Sequence, residues 1–362
     1  MKILQIIQKQ QLRGAEIFAC QLSEELIKLG NEVEVLVLAG KPNPDFPYKL
    51  KYHFTYANLK HRFTDFKTYK KIAEIIKKGN YDVIQANASD TLKYAVFSKK
   101  LFGWNNKLIF RNANKMSDFV NSKLKYILNY YLLNHTNLII SVSNNCEIDI
   151  HNTFKKRVNK TTTITIGTYK FVEIKNITKS KNKIILNIGS FVPEKNHKFL
   201  IDIFYRYQQK YPKTELWLVG DGKLMDAIQN KVKQLGIESK VKFWGFRKDI
   251  ISIIKSADIL LMPSKIEGLP GVILEAFSCG IPVVASSVGG IPEVVINNYN
   301  GFNLTNFDIN EYVARIEQIL NDDKLKTEFG KNGKKLIYEQ YLMPQIGKKF
   351  NNAYLNLLDE KN

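Results

Sequence analysis

The chain has 362 residues, 44% of them hydrophobic and 24% charged; at about 150 residues per domain that is two compact domains with sizeable cores, and disorder is excluded for most of the length. Lys and Arg outnumber Asp and Glu by 54 to 34, so partners of negative charge come first to mind. Three separated cysteines, Cys20, Cys146 and Cys279, fit neither a disulfide framework nor a metal-ligand spacing, and no apolar run approaches the roughly 20 residues that cross a bilayer.

Short β-branched runs alternate with helical periodicity from end to end. Residues 2–7 read as a strand with no signal peptide before it, 15–29 as an amphipathic helix closed by Gly30, and 33–38 as a second strand. A helix runs through 72–78 to Gly79, strands follow at 83–85 and 107–110, then a helix at 123–134 and a strand at 138–142. After a polar, Thr- and Lys-rich stretch at 159–183 the rhythm restarts. Strands are expected at 183–188, 216–219, 241–244, 259–262 and 282–285, with helices at 197–210, 223–235 and 250–256 between them. The tail from about 341 is helical after a break at Pro344. Strands that alternate with crossover helices make parallel sheets. The reading is therefore α/β, with two doubly wound domains at 1–168 and 169–340 hinged near 167–182, and a C-terminal helix at 341–362.

The strongest chemical signal is Glu267-Gly268-Leu269-Pro270-Gly271-Val272-Ile273-Leu274-Glu275. It follows a strand, so two carboxylates eight residues apart flank a glycine-bearing turn into a helix. The first-turn amides of such a helix are unpaired and, with the helix dipole, suit a phosphate. Leu269, Gly271 and Val272 can each offer an N–H, whereas Pro270 cannot. Glu275, one turn in, is placed to reach a ribose diol, as acidic residues do in other nucleotide-binding folds. Taken alone, two ordinary solvent-facing glutamates around a tight turn would read the same way. Upstream, Gly189-Ser190-Phe191-Val192-Pro193-Glu194-Lys195-Asn196-His197 puts Lys195 near a helix start, where a cation makes sense if an anion shares the site. Gly220-Asp221-Gly222, Gly245-Phe246-Arg247 and Gly280 through Gly289-Gly290-Ile291-Pro292-Glu293 complete a set of glycine turns at the carboxyl ends of strands, the edge where ligands bind in such sheets. The five histidines have no metal spacing; His197 is read as capping or packing at its helix start.

In this combination and order the residues resemble the retaining glycosyltransferases of family 4, which have the GT-B fold: two Rossmann-like, doubly wound parallel-sheet domains facing a central cleft. The matching blocks begin at Gly14-Ala15-Glu16-Ile17-Phe18 and span nearly the whole chain, the C-terminal half being the more specific. The resemblance implies a nucleotide-sugar donor, held mainly by the second domain, and a glycan or lipid-linked acceptor, held mainly by the first. It implies no required metal or other cofactor, and no Asp-x-Asp clamp occurs in the chain. Glu275 would hold the ribose and Glu267 the donor sugar's hydroxyls, while Lys195 and the amides after Gly268 would neutralise the departing diphosphate. Glu267 and Lys195 are thus the expected catalytic pair, and Gly14, Ser190, Phe246, Arg247, Gly268, Leu269, Gly271, Val272 and Glu275 complete the expected donor site. Phe246 and Arg247 lie where base selection would fall.

There are departures from the family pattern. Arg13 replaces the first of two glycines in the N-terminal loop, and Ser190 stands where many relatives have Arg. Arg111-Asn112-Ala113-Asn114-Lys115 holds no histidine where the family often has one, and 165–168 lacks the usual Asn-Gly. Arg13, Arg111, Asn112 and Asn114 are the acceptor-side candidates. The expected setting is assembly of a bacterial surface polysaccharide such as capsule, exopolysaccharide or O-antigen. The rival reading is a non-catalytic nucleotide-sugar-binding or scaffold protein built on the same fold, and a third is a sugar-nucleotide epimerase.

The charge is uneven. Residues 1–170 carry 27 basic against 13 acidic residues, the remainder 27 against 21. Only seven of the basic residues are Arg, and specific nucleic-acid recognition leans on Arg forks, so no nucleic-acid partner is expected. Lys123-Leu124-Lys125-Tyr126-Ile127-Leu128-Asn129-Tyr130-Tyr131-Leu132-Leu133 combines helical apolar spacing with lysines. It reads either as a core helix or as a contact with an anionic membrane surface. The expected location is the cytoplasm, with that contact at the inner face of the cell membrane.

Overall fold

The computed structural model describes residues 1–155, 158, 160–171, 177 and 180–360. The hinge expected near 167–182 falls in good part outside the described residues. The chain divides into two compact units, one of Met1–Gly167 with Met343–Asn362 and one of Thr168–Leu342.

In the first unit β1 (Lys2–Ile7), α1 (Gly14–Lys28), β2 (Glu32–Val37), β3 (Lys51–Phe54), α2 (Phe66–Gly79), β4 (Val83–Ala86), α3 (Ser89–Phe102), β5 (Lys107–Asn112), α4 (Lys123–Leu133), β6 (Leu138–Ser141), α5 (Asn144–Phe154) and β7 (Thr161–Thr163) follow one another. The sheet order is β3-β2-β1-β4-β5-β6-β7 and every pairing is parallel. Central strands are buried on both faces, which is why β1 and β4 read as apolar runs interrupted only by the buried Gln5 and Gln85. Leu4, Ile6, Ile84, Leu108 and Phe110 face α2 to α5, where Tyr69, Ile72, Leu92, Leu132 and Phe154 meet them. The opposite face packs on α1 and on the last helix of the chain.

The second unit holds β8 (Lys183–Ile188), α6 (His197–Lys210), β9 (Thr214–Val219), α7 (Met225–Gln234), β10 (Val241–Gly245), α8 (Ile250–Lys255), β11 (Ile259–Met262), α9 (Gly271–Cys279), β12 (Val283–Ser286), α10 (Ile291–Val294), β13 (Gly301–Leu304), α11 (Ile309–Leu320) and α12 (Asp323–Gln340). Its sheet, β10-β9-β8-β11-β12-β13, is parallel throughout and has the 3-2-1-4-5-6 order of the dinucleotide-binding fold. The order reverses between β8 and β11. The loops leaving those two strands therefore open side by side at the carboxyl edge, the switch point where such sheets take their ligands.

Three strands escape the sequence reading. β3 and β7 are edge strands of intermediate burial, and Thr161–Thr163 offers no apolar alternation to detect; β13 begins at a glycine. The helical tail, α13 (Met343–Asp359), starts at Met343 with Pro344 inside its first turn, where a missing N–H costs nothing. It lies on α1: the Phe350 ring is 5.7 Å from that of Phe18, Asn31 donates to Asn351 at 2.8 Å, and the Tyr354 hydroxyl donates to Gln85 Oε1 at 2.7 Å inside the core. Among the described residues no helix is long and apolar enough to cross a membrane.

Candidate active site

The site is built at the carboxyl edge of the second sheet. β8 ends at Ile188, and the chain turns through Gly189 to a short 3-10 turn, Pro193–Lys195, before α6 begins. Asn196 adopts the left-handed region at φ 56°, and its Nδ2 donates to the Pro263 carbonyl at 3.2 Å. Lys265 N donates to the Glu194 carbonyl at 2.7 Å. These two bonds stitch the loop after β8 to the loop after β11.

The consequence is a short ion pair. Lys195 Nζ lies 2.5 Å from Glu267 Oε1, although 72 positions separate the residues in sequence. Glu267 is buried at 7% exposure, while the lysine side chain keeps 23%. A buried carboxylate needs its cation, and the lysine, being only partly covered, still has an open side. Beyond the turn, α9 starts at Gly271 with Pro270 as its cap residue, and no side chain caps it. The amides of Gly271 and Val272 have no carbonyl one turn back to receive them. Glu275 follows one turn along. It is half-buried and makes no hydrogen bond or ion pair among the described residues, and loss of water pushes its carboxyl up to about 7.

Two glycine pairs hold this arrangement. Gly289 lies in the left-handed region at φ +57°, and a Cβ there would stand 1.9 Å from the Glu267 carbonyl oxygen. Gly290 N donates to the Gly268 carbonyl at 2.5 Å. The turn bearing Glu267 is thus clamped from behind by the loop after β12. On the other side, a Cβ on Gly220 (φ +132°) would stand 2.2 Å from the Gly189 carbonyl, and Phe191 N donates to Asp221 O at 2.8 Å. The sequence marked all of these glycines as turns; that Gly289 and Gly290 press on Glu267 and Gly268 is visible only in three dimensions.

The structure brings Ser190, Lys195, Glu267, Gly268, Leu269, Gly271, Val272 and Glu275 to one edge, in the segments that leave the adjacent strands β8 and β11. Phe246 and Arg247 follow β10, two strands outward from β8. Phe246 is exposed, and Arg247 makes a bidentate pair with Asp249 at 2.8 and 2.7 Å. His197 packs flat on Phe191, ring centroids 4.1 Å apart, with neither ring nitrogen bonded. Burial first and then the Lys195 charge pull its pKa down to about 4, so it is a neutral packing residue at ordinary pH.

The remaining candidates belong to the first unit. Arg13 and Gly14 are exposed at the start of α1, and Gly14 has open space where a side chain would stand. At the end of β5 Arg111 is turned inward at 3% exposure. Its guanidinium lies 4.3 Å from the Phe18 ring centre, Nε and Nη1 have no partner, and burial lowers its pKa to about 10. Asn112 is also buried and donates weakly to Ser141 Oγ at 3.4 Å, whereas Asn114 is exposed.

Comparison with known proteins places these features in context. Residues 170–336 match the family described as glycosyl transferases group 1, and residues 12–167 match glycosyltransferase family 4. The chain is 24% identical to the N-acetyl-alpha-D-glucosaminyl L-malate synthase of Bacillus anthracis over 96% of both chains. It is 27% identical to the Escherichia coli UDP-Gal:alpha-D-GlcNAc-diphosphoundecaprenol alpha-1,3-galactosyltransferase over 51% of this chain and 48% of that one. Among solved structures, Anabaena HepE in complex with UDP and glucose superposes with a TM-score of 0.82 at 21% identity, covering 98% of this chain and all of that one. The sucrose-phosphate synthase of Thermosynechococcus elongatus gives 0.88 at 20% identity over 99% of this chain and all of its own. The fold is GT-B.

Proposed function

The chain belongs to the glycosyltransferases, with a family 4 module followed by a group 1 module, and on that premise we propose that it moves a sugar from a UDP-linked donor to a glycan or lipid-linked acceptor with retention of anomeric configuration, in polysaccharide assembly. The observation that carries this reading is the Lys195–Glu267 pair at 2.5 Å beside the uncapped start of α9.

In the unliganded protein the lysine neutralises Glu267. A diphosphate arriving at the α9 amides offers the ammonium a second and stronger anion. As Lys195 turns to it, the Glu267 carboxylate is released to accept hydrogen bonds from the donor sugar's hydroxyls. Glu275, unpartnered until then, accepts from the ribose diol. As the acceptor oxygen bonds to the anomeric carbon, the bond from that carbon to the phosphate oxygen breaks on the same face. The departing diphosphate oxygen takes the acceptor's proton, so no side-chain base is needed. Lys195 and the amides meet the charge that grows on that oxygen, which is where electrostatic stabilisation accelerates a reaction. No metal is invoked for that role. The UDP complexes of HepE and the diphosphoundecaprenol in the Escherichia coli relative's name support the donor and acceptor classes.

Thermal-shift screening against UDP-, GDP- and ADP-sugars identifies the donor, and release of nucleoside diphosphate with an acceptor measures turnover. Glu275→Ala is expected to weaken donor binding about tenfold or more, and Lys195→Ala to lower kcat by about a hundredfold. Wild-type behaviour in both variants would remove the site assignment. Donor binding with no diphosphate released under any acceptor condition would instead favour a non-catalytic binding protein.

A further inference from the structure

The first unit carries an apolar and basic rim that neither its core nor the transfer chemistry uses. α4 fully buries only Leu132 and Leu133. Leu124 is 77% exposed and Ile127 53%, and Tyr131 and Phe119 are exposed beside them. Positions 124, 127 and 131 share one helical face. Tyr126, Leu128 and Tyr130 of the same helix pack against the core, so the outer stripe is surplus to folding. A second exposed group, Tyr56, Phe63 and Phe66, stands at the entry to α2.

The topology gathers the two groups. α2 and α4 are both crossovers between parallel strands, so their first turns lie at the carboxyl edge of the sheet. α3 packs against both, and its own first turn lies at that edge too. Arg13 and Asn114, at the exits of β1 and β5, share the same edge.

The charge has one sign. Residues 55–133 hold 15 Lys and Arg against 5 Asp and Glu, half of the chain's net charge. Lys60, Lys67 and Lys70 accompany the first apolar group, and Lys115, Lys123 and Lys125 the second. Of the nearby acids, Asp90 pairs with Arg62 and Lys93, Asp65 caps α2 and receives the Tyr94 hydroxyl, and Asp118 stands exposed beside Phe119 with the Lys115 charge near it.

We propose that this edge docks on an anionic phospholipid bilayer, with Leu124, Ile127 and the aromatic side chains entering the headgroup region and the lysines pairing with lipid phosphates. Lysine is depleted from the cores of protein interfaces but suits a lipid surface, where a long stem lies along apolar groups and the ammonium stays wet. Docking would bring the acceptor-side candidates to the membrane. In that sense the inference rests on the lipid-linked acceptor of the proposed function, although the docking itself needs no transfer chemistry.

The test is sedimentation of the full chain with vesicles of phosphatidylglycerol and phosphatidylcholine against phosphatidylcholine alone. Binding is expected only to the anionic vesicles and is expected to fall steeply at 0.5 M salt, where the Debye length is about 4 Å. Leu124→Ser with Ile127→Ser, and separately Lys123→Glu with Lys125→Glu, are each expected to weaken it about tenfold or more. Diphosphate release with a soluble acceptor should be unchanged in both, which separates failure of docking from failure of the transferase reading. Equal binding by wild type and variants, or none by wild type, overturns the proposal. So does a dimer in solution that the Leu124→Ser, Ile127→Ser variant abolishes, because the stripe would then be an interface between copies.

Discussion

Gly289→Ala tests how tightly the reacting turn is positioned. The substitution adds one methyl group in a left-handed backbone (φ +57°), 1.9 Å from the Glu267 carbonyl oxygen and 2.7 Å from that of Gly268. Real Cβ contacts essentially never fall under 3.0 Å, so the turn bearing Glu267 has to retreat by at least about 1.1 Å. The left-handed conformation itself costs an alanine about 1–2 kcal/mol. Gly236→Ala carries the same conformational cost at φ +66° with nothing within 4 Å and serves as the control. A displacement of about 1 Å at a reacting centre costs about a hundredfold in rate. The expected result is therefore a loss of about a hundredfold in kcat/KM for Gly289→Ala, with about 1–3 kcal/mol of instability beyond that of Gly236→Ala from the clash alone, while Gly236→Ala keeps its activity. Diphosphate release and chemical denaturation read the two quantities. If Gly289→Ala folds and retains kcat/KM within about threefold, or if Gly236→Ala loses as much, the Glu267 turn is not held by this clamp.

Two further outcomes follow from buried polar groups. Glu275 has a carboxyl raised to about 7 from an ordinary 4.5, so between those pH values the folded state holds a proton that the unfolded chain releases. That contribution to wild-type stability falls as pH rises from 4.5 to 7 and levels off above, while the lowered pKa of His197 acts in the opposite direction in wild type and variant alike. Glu275→Gln should lack that slope and exceed wild type at pH 8 by up to about 3 kcal/mol, measured by urea denaturation across pH; a parallel pair of curves would show that the carboxyl titrates normally. Tyr354→Phe removes the hydroxyl that donates to Gln85 Oε1 at 2.7 Å, leaving a fully buried acceptor short of a partner. A loss of about 1–3 kcal/mol is expected, and no change in the denaturation midpoint would mean that the Tyr354–Gln85 bond does not help to hold α13.

Much of the alternation of strands and helices, with the glycine turns and the candidate residues, was readable along the chain, because period and turn chemistry are local properties; the helices α3, α5, α11 and α12 were not read. The central strands β1, β8 and β11 show as apolar runs since both their faces are covered. β3 and β7 do not, because an edge strand can stay polar, and only pairing with a neighbour makes Thr161–Thr163 a strand. Distance in sequence hid the rest. Lys195 and Glu267 were each legible as a charge beside a turn, yet their ion pair exists because β8 and β11 are neighbours across the reversal of strand order. Arg111 reads as an available cation in a polar string, and the fold turns it onto Phe18 instead. Leu124 and Ile127 look like core residues by their spacing, and the packing of Tyr126, Leu128 and Tyr130 leaves them outside. Composition and periodicity settled what kind of layers this polypeptide builds. Which side chains meet at a sheet edge, and which face is left to solvent, depended on strand order and helix rotation, which arise from contacts between segments that no local pattern records.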